Sequence, residues 1–283
     1  MALSYTHGVT THRRFDRTAR LLGDHGLQRL ANCTVAVIGC GGVGSHAAEA
    51  LIRSGVGRLI LVDFDRICVT NTNRQLHAMK GTLGKSKVHV MSERLAAINP
   101  DATIVPRREF YSAKTSDQIL CPEPDLVIDA IDNITAKLHL IVTCMQRKLR
   151  LVSSMGAAAR MDPTRVRVVD LSKTFNDPFA YEVRRHLRRQ HSIDTKKDLG
   201  VHAVFSDELP LAPQPLAYDD GGFRCVCPSG DNDLHSCEHR NRIEGSMAFV
   251  PAAFGLAAAA TGVRLLIGPI PTGVGRIAHN NMG

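Results

Sequence analysis

The stretch that decides the fold is Val35-Ala-Val-Ile-Gly-Cys-Gly-Gly-Val-Gly44. Thr34 to Ile38 is short, apolar and rich in β-branched residues, which predicts a buried parallel strand. Three glycines with the G-x-G-x-x-G spacing follow it: Gly39, Gly41 and Gly44. Ser45 to Ile52 then predicts a helix. A strand that turns tightly into a helix brings backbone N–H groups to a phosphate. We therefore expect an α/β fold with a Rossmann-like, mostly parallel sheet, helices on both faces and a C-terminal α/β extension.

An acidic residue follows the second apolar run, which begins at Arg58. Asp63 ends this run, 19 residues after Gly44. In a Rossmann unit an acid at this distance accepts hydrogen bonds from the ribose hydroxyls of a nucleotide. The glycine turn and Asp63 by themselves fit NAD as well as ATP. They predict a nucleotide fold and leave the nucleotide open.

Polar residues after the second and third strands favour a nucleoside triphosphate. The second strand is followed by Asp65, Asn71, Arg74 and Lys87. A third strand, predicted over Leu126 to Asp132, leads to Asn133. Because ligands of an open α/β sheet lie outside the carboxyl ends of its strands, Gly41, Asp63 and Asp132 should converge on one crevice. Two cations and several carboxylates in one crevice suit ATP with Mg²⁺ better than NAD.

With this joint spacing the chain resembles the ubiquitin-activating-enzyme-like adenylyltransferases, over about Phe15 to Ser154. That superfamily includes the molybdopterin-synthase and thiamine-pathway sulfur-carrier enzymes. The resemblance implies that ATP is bound by a set of glycines and polar residues, namely Gly39, Gly41, Gly42, Gly44, Asp63, Asp65, Asn71, Arg74, Lys87, Asp132 and Asn133. Asp63 would bind the ribose, Asp65 and Asp132 would lie near Mg²⁺, and the phosphates would meet Asn71, Arg74 and Lys87. The catalytic residues would be Arg17, Asn71, Arg74, Lys87 and Asp132.

The resemblance also implies a homodimer. In the family, an arginine at the position of Arg17 reaches into the neighbouring subunit's ATP site. A planar guanidinium there matches the negative charge that spreads over the transition state.

Further segments resemble the bacterial tRNA threonylcarbamoyladenosine dehydratases within that superfamily, and they extend the likeness to nearly the whole chain. They are Cys68–Gln75, Asp162–Thr164, Asp170–Thr174, Asp177-Pro178, Val204–Glu208, Gly245-Ser246, Phe249–Pro251 and Phe254–Leu256. This resemblance implies an enzyme that uses ATP to adenylate the threonylcarbamoyl carboxylate on an anticodon-loop adenosine. The activated carboxylate then cyclises on the modification itself to cyclic threonylcarbamoyladenosine, with release of AMP and pyrophosphate.

The charge of the chain agrees with a tRNA substrate. Its net charge is +8, with a pI near 9.2. A dense basic helix contributes to this excess through Arg184, Arg185, Arg188 and Arg189. Such a run is often only a solvated helix face. For a tRNA-binding protein, contacts to backbone phosphates are the better interpretation, because phosphates dominate nucleic-acid affinity.

Two alternatives stay open at this point. The first is an adenylyltransferase that activates the C-terminal Gly-Gly of a sulfur-carrier protein, and sulfur-transfer helper proteins are further candidate partners. The second is an NAD-binding Rossmann module, which would release no pyrophosphate.

The cysteines and the polar N-terminus predict a cytoplasmic protein, because eight cysteines without a secretory signal argue for a reducing compartment. Three cysteines lie near two histidines in a polar segment: Cys225, Cys227 and Cys237 with His235 and His239. Their spacing differs from the C-x-x-C pairs of zinc-bearing superfamily members, so we expect a loop rather than a zinc site. The dehydratase reaction needs no protein thiol, and Cys237 is the residue to test if that assignment is wrong.

The chain is expected to comprise an N-terminal helical arm (1–32), a Rossmann-like ATP-binding region (33–160) and a tRNA-binding and dimerisation extension of the same domain (161–283). Met247 to Val263 is strongly apolar, which raises membrane attachment as an alternative. It contains Pro251 and Gly255 and is shorter than the roughly 20 residues that a span needs. We therefore expect a buried helix of the core or of the dimer interface.

Overall fold

A seven-stranded sheet carries the fold of the protein, in a computed structural model that describes residues 13–214 and 244–269. The strands are β1 (Thr34–Ile38), β2 (Arg58–Val62), β3 (Thr103–Arg107), β4 (Leu126–Asp129), β5 (Leu151–Ser154), β6 (Val166–Asp170) and β7 (His202–Ser206). Their order is β3-β2-β1-β4-β5-β7-β6, and every neighbouring pair is parallel except β6 with β7. The direction of strand succession reverses at β1, so a crevice is expected at the carboxyl ends of β1 and β4.

Helices cover both faces of the sheet. They are α1 (Asp16–Asn32), α2 (Gly42–Arg53), α3 (Lys87–Ile98), α4 (Ser116–Ile119), α5 (Ile134–Arg147), α6 (Pro178–His191) and α7 (Phe249–Ile267). Alternate residues of β1 belong to two separate hydrophobic clusters. Val35 and Val37 pack with α2, α3 and α7 on one face. Ala36 and Ile38 pack with α5 and α6 on the other face. Because successive strand side chains point to opposite faces, both faces are buried. The predicted α/β fold is confirmed.

The long apolar helix α7 belongs to the first of these clusters. By length and composition alone it is a candidate membrane span, and 56% of its most apolar window is buried inside the described chain. It packs along α2 so closely that a Cβ built on Gly255 would lie 2.8 Å from His46 Cβ. Val250, Phe254 and Ala258 are wholly buried. The prediction of a core helix is confirmed for α7.

Several predicted boundaries shift in the structure. The third strand was predicted to reach Asp132, but β4 ends at Asp129, because the Ile131 N–H bonds the Asp129 carboxylate instead of continuing the ladder. The patterns did not predict β3 and α4. Of the expected extension, the described part contributes β6 and β7 to the same sheet. The boundaries at residues 32 and 160 stay predictions.

Candidate active site

The glycine turn joins β1 to α2 at the carboxyl end of the sheet. Gly39 has a φ of 94°, and a Cβ there would lie 2.7 Å from the Ala130 carbonyl oxygen. A Cβ on Gly44 would overlap the carbonyl of Gly39. Only glycine fits at these two positions. At Gly41, by contrast, an added Cβ would meet nothing closer than Gln75 Nε2, at 3.9 Å. The N-terminus of α2 is therefore open for an anion to approach its free N–H groups.

Asp63 connects this turn to the end of β2. Its Oδ2 accepts a hydrogen bond from the Cys40 N–H at 2.7 Å, and its Oδ1 accepts one from the Asp65 N–H at 2.8 Å. The residue is only 9% exposed. Asp63 thus holds the glycine turn in place, and its predicted contact with a ribose would use the remaining acceptor positions of the carboxylate.

Lys87 begins α3 and places a buried cation against these carboxylates. Its Nζ lies 2.7 Å from Asp65 Oδ2 and 4.0 Å from Asp63 Oδ1. Burial on its own lowers the pKa of Lys87. The negative charges of Asp63, Asp65 and Asp132 outweigh burial and hold the pKa above its ordinary value. Lys87 is therefore a fixed positive charge beside the glycine turn, as a phosphate ligand should be.

Asn71 and Arg74 lie on a single compact turn after β2. The Asn71 Oδ1 accepts a hydrogen bond from the Cys68 N–H at 3.0 Å, which caps the short 3₁₀ helix Val69–Asn71. The Arg74 guanidinium donates to the Thr70 carbonyl at 2.9 Å. A Cβ built on Gly42 would lie 3.3 Å from Arg74 Cγ, so the arginine stem passes over the start of α2. The turn brings Arg74 to the glycine turn.

Asp132 and Asn133 lie between β4 and α5. Asp132 is exposed, and its charge acts on the pKa of Lys87, which places it in the same crevice. The Asn133 Oδ1 accepts a hydrogen bond from the Ala136 N–H at 3.0 Å and so caps α5. Its side chain therefore has a structural task besides the nucleotide contact predicted for it.

The predicted residues outside this crevice are Arg17 and the arginines of α6. Arg17 is exposed near the start of α1. Arg184 turns inward to the Thr174 hydroxyl, and burial lowers its pKa. Arg188 donates to the Thr195 hydroxyl at 2.7 Å, and Arg185 pairs with Glu182. Arg189 is exposed. The basic helix is thus less uniformly available than its sequence suggests.

Two groups of buried polar residues next to the crevice were not predicted from the sequence. One is an ion pair between Asp129 and Lys137, both wholly buried. The other comprises Ser45, Gln75 and His77, whose buried polar atoms include four without a hydrogen-bond partner in the part of the chain described. Burial lowers the pKa of His77 to about 3, and the charges of Lys87 and Arg94 act in the same direction. A charged or polar residue within an otherwise apolar helix, as at Lys137, is the sequence signal for the first group.

The segment with Cys225, Cys227 and Cys237 lies outside the described residues, as do His235 and His239. Within residues 13–214 and 244–269, no group of three or more His, Cys, Asp or Glu could hold a metal ion by itself. Burial raises the pKa of the Cys40 thiol well above its ordinary value, so the cysteine in the glycine turn is not a reactive thiolate.

The family of the chain follows from sequence and fold together. The profile of the ThiF family matches residues 15–282, almost the whole chain. The chain belongs to the ThiF family, as its glycine turn and its charged crevice led us to expect.

Relatives within the family narrow the assignment. A tRNA threonylcarbamoyladenosine dehydratase of Bacillus subtilis (strain 168) is 44% identical over 243 residues, which cover 86% of this chain and 90% of the relative. The crystal structure of the E. coli tRNA N6-threonylcarbamoyladenosine dehydratase in complex with ATP has a TM-score of 0.77 and 36% identity, over 90% of this chain and 94% of the other. The structure of that enzyme in complex with AMP has a TM-score of 0.78 and 35% identity, over 92% of this chain and 98% of the other. The chain groups with these dehydratases.

Proposed function

We propose that the protein is an ATP-dependent tRNA threonylcarbamoyladenosine dehydratase. The observation that carries the proposal is the likeness to such dehydratases over 86% of the chain, which includes the second half as well as the glycine turn. The described crevice agrees with it, because a helix N-terminus, a buried lysine and several carboxylates converge at the carboxyl ends of β1, β2 and β4. An NAD-binding module has no use for this cluster of charges.

The reaction removes one water from the threonylcarbamoyl group at the expense of ATP. A carboxylate oxygen attacks the α-phosphate, pyrophosphate leaves, and the carboxylate becomes a mixed anhydride with AMP. A nitrogen of the modification then attacks the activated carbonyl carbon and loses its proton. The C–O bond to AMP breaks, and the ring closes. Because the nucleophile lies within the substrate, the protein's task is to position the reactants and to stabilise charge.

The roles of the crevice residues follow from their positions. The open N-terminus of α2, with Gly41 and Gly42, would receive phosphate oxygens. Lys87 and Arg74 would offset charge on the departing pyrophosphate, and Asn71 would offer its amide group. Asp63 would accept from the ribose hydroxyls, while Gly39 and Gly44 give the turn its shape.

A magnesium ion fits Asp132 better than Asp65. The Asp65 Oδ2 already accepts from Lys87 Nζ at 2.7 Å, whereas Asp132 is exposed at the edge of the crevice. Mg²⁺ in ATP-dependent enzymes is commonly held by one or two carboxylates together with phosphate oxygens, so one free carboxylate is sufficient. Asp132 would hold the ion, with Asp65 orienting Lys87. A bound Mg²⁺ would neutralise charge on the phosphates.

The tRNA would contact the basic helix α6 through its exposed arginines. Arg189 is exposed, and Arg185 is half-buried beside Glu182. Arg188 is also exposed, although one of its N–H groups donates to the Thr195 hydroxyl, so it would contact the tRNA as well. Arg184 turns inward to Thr174, so its contribution would be to shape the surface. Arg17 would complete the ATP site of a partner subunit in a homodimer, and the protein would act in the cytoplasm.

To test the proposal, the full chain is incubated with ATP and Mg²⁺ in three parallel reactions, each with a different acceptor. The acceptors are tRNA bearing threonylcarbamoyladenosine, the same tRNA without the modification, and a carrier protein ending in Gly-Gly. Pyrophosphate release is measured with each, and Asp132→Ala serves as the inactive control. The proposal expects release only with the modified tRNA. Release with the carrier protein alone would contradict it and favour a sulfur-carrier adenylyltransferase.

A further inference from the structure

A buried ion pair lies beneath the connection between β4 and α5. The Lys137 Nζ, on the first turns of α5, donates to Asp129 Oδ2 at 2.6 Å, to the Ser154 carbonyl at 2.9 Å and to the Ser153 hydroxyl at 3.4 Å. The Ser153 hydroxyl in turn donates to Asp129 Oδ2 at 2.6 Å. Both charged side chains are wholly buried. Each of the three ammonium hydrogens therefore has an acceptor.

The other oxygen of Asp129 connects this pair to the crevice. Oδ1 accepts a hydrogen bond from the Ile131 N–H at 3.0 Å, one residue before Asp132. The neighbouring Ala130 donates its N–H to the Ile38 carbonyl at 2.8 Å, and its own carbonyl lies where a side chain of residue 39 would be. The backbone of residues 130–131 is thus held between the ion pair and the glycine turn.

Stability alone does not explain why charges are buried here. Replacing a buried ion pair by apolar residues of similar volume is often neutral or stabilising, because desolvation of the charges offsets their attraction. Hydrogen bonds to charged groups, in contrast with apolar contacts, fix directions as well as distances. The arrangement joins the ends of β4 and β5 to the first turns of α5, and Asp132 directly follows the two residues that it holds.

We propose that Lys137, acting through Asp129, is a positioning residue that directs Asp132 into the nucleotide crevice. The inference rests on the proposed function, in which Asp132 holds the Mg²⁺ that accompanies ATP. Lys137 itself is wholly buried, so we assign it no direct contact with nucleotide or tRNA. Its effect is on the direction of the Asp132 carboxylate relative to Lys87 and the glycine turn.

The experiment measures ATP affinity of the full chain by calorimetry, with and without Mg²⁺, for wild type and for Lys137→Met. The matched control is Lys114→Met, which removes an exposed lysine. Mutation of a residue that orients a metal ligand without itself binding the metal typically lowers metal affinity by about 10–100-fold. We therefore expect Lys137→Met to lose about tenfold or more of the Mg²⁺-dependent gain in ATP affinity, with unchanged affinity in the absence of Mg²⁺. Lys114→Met should match wild type.

A double-mutant cycle shows whether the effect passes through Asp132. In an Asp132→Ala background the Lys137→Met substitution should remove nothing further from the Mg²⁺-dependent gain, because the carboxylate that it orients is gone. A further loss of the same size in that background would overturn the proposal, and so would a folded Lys137→Met protein with the wild-type gain.

A charge-neutral variant covers the case in which Lys137→Met does not fold. Asp129→Asn with Lys137→Met leaves no unpaired buried charge and keeps an acceptor for the Ile131 N–H. It should fold and lose part of the Mg²⁺-dependent gain, and a wild-type gain would again overturn the proposal. These measurements use ATP alone. If wild type fails to convert modified tRNA, the proposed function fails, while the role of Lys137 is still decided by ATP binding.

Discussion

Replacement of His77 by methionine should make the protein less sensitive to acid. His77 is wholly buried, and neither ring nitrogen has a hydrogen-bond partner within the described residues. Burial, with the nearby charges of Lys87 and Arg94, lowers its pKa to about 3. The imidazole is therefore neutral in the folded protein at physiological pH. Methionine has similar bulk, adapts to irregular cavities and does not titrate.

The magnitude follows from the two pKa values of His77. In the unfolded chain a histidine takes up a proton as the pH falls through its ordinary pKa of about 6.5, whereas the native protein does not bind that proton until about pH 3. Between these values the unfolded state binds more protons, so folding stability falls as the pH is lowered. The loss approaches about 1.4 kcal/mol per pH unit, or about 2 kcal/mol between pH 7.5 and pH 5.

The assay is denaturant unfolding of wild type and His77→Met at pH 7.5 and pH 5, at one protein concentration. Contributions common to both proteins cancel in the difference, so His77→Met should lose about 2 kcal/mol less than wild type on acidification. The control is His25→Met, at an exposed position of α1, which should lose as much as wild type. Equal losses for His77→Met and wild type would refute the argument that a buried neutral histidine titrates on unfolding.

Three further predictions concern the crevice, the dimer and the core. Asp132→Ala should reduce pyrophosphate release by about a hundredfold or more, with an unchanged melting temperature, because the residue is exposed and its charge acts in the crevice; near-normal release would contradict its assignment. Equal amounts of Arg17→Ala and Asp132→Ala proteins, after subunit exchange, should recover about a quarter of wild-type turnover, because half of the dimers would be mixed and each mixed dimer would have one intact site of two. No recovery despite exchange would place Arg17 in its own subunit's site or in a structural role. Gly255→Ala should destabilise the fold by about 1–3 kcal/mol in thermal unfolding, because its Cβ would contact His46 Cβ at 2.8 Å and overlap the Val43 carbonyl; a neutral effect would mean that α7 can move away from α2.

The local features of the site could be predicted from the sequence. The turn at Gly39 and Gly44 needs residues without a Cβ, and the strand before it is a short apolar run. Both features depend only on residues that are adjacent in the sequence, so a local pattern predicts them. The approach of Asp63 to the glycine turn also followed, because the carboxyl ends of parallel strands share one edge of the sheet. The position of Lys87 at the start of α3 followed only from the family resemblance.

Features that depend on packing between distant segments could not be predicted in this way. Asp132 looked like the end of a strand, but a hydrogen bond from Ile131 to Asp129 ends β4 earlier. Lys137 lies in a helix that packs against β5, and only the folded arrangement shows that its charge is buried. Likewise the inward turn of Arg184 depends on Thr174, in a loop before the helix, and the basic pattern contains no sign of it.

Tracing one oxygen atom tests most directly whether the threonylcarbamoyl carboxylate is activated as an adenylate. The threonylcarbamoyl carboxylate of the tRNA is labelled with heavy oxygen, and the products of a reaction with ATP and Mg²⁺ are analysed by mass spectrometry. Attack of the carboxylate on the α-phosphate, followed by ring closure, leaves one labelled oxygen in AMP and a nucleoside lighter by one water. Label in phosphate or in water, with none in AMP, would contradict activation through an adenylate.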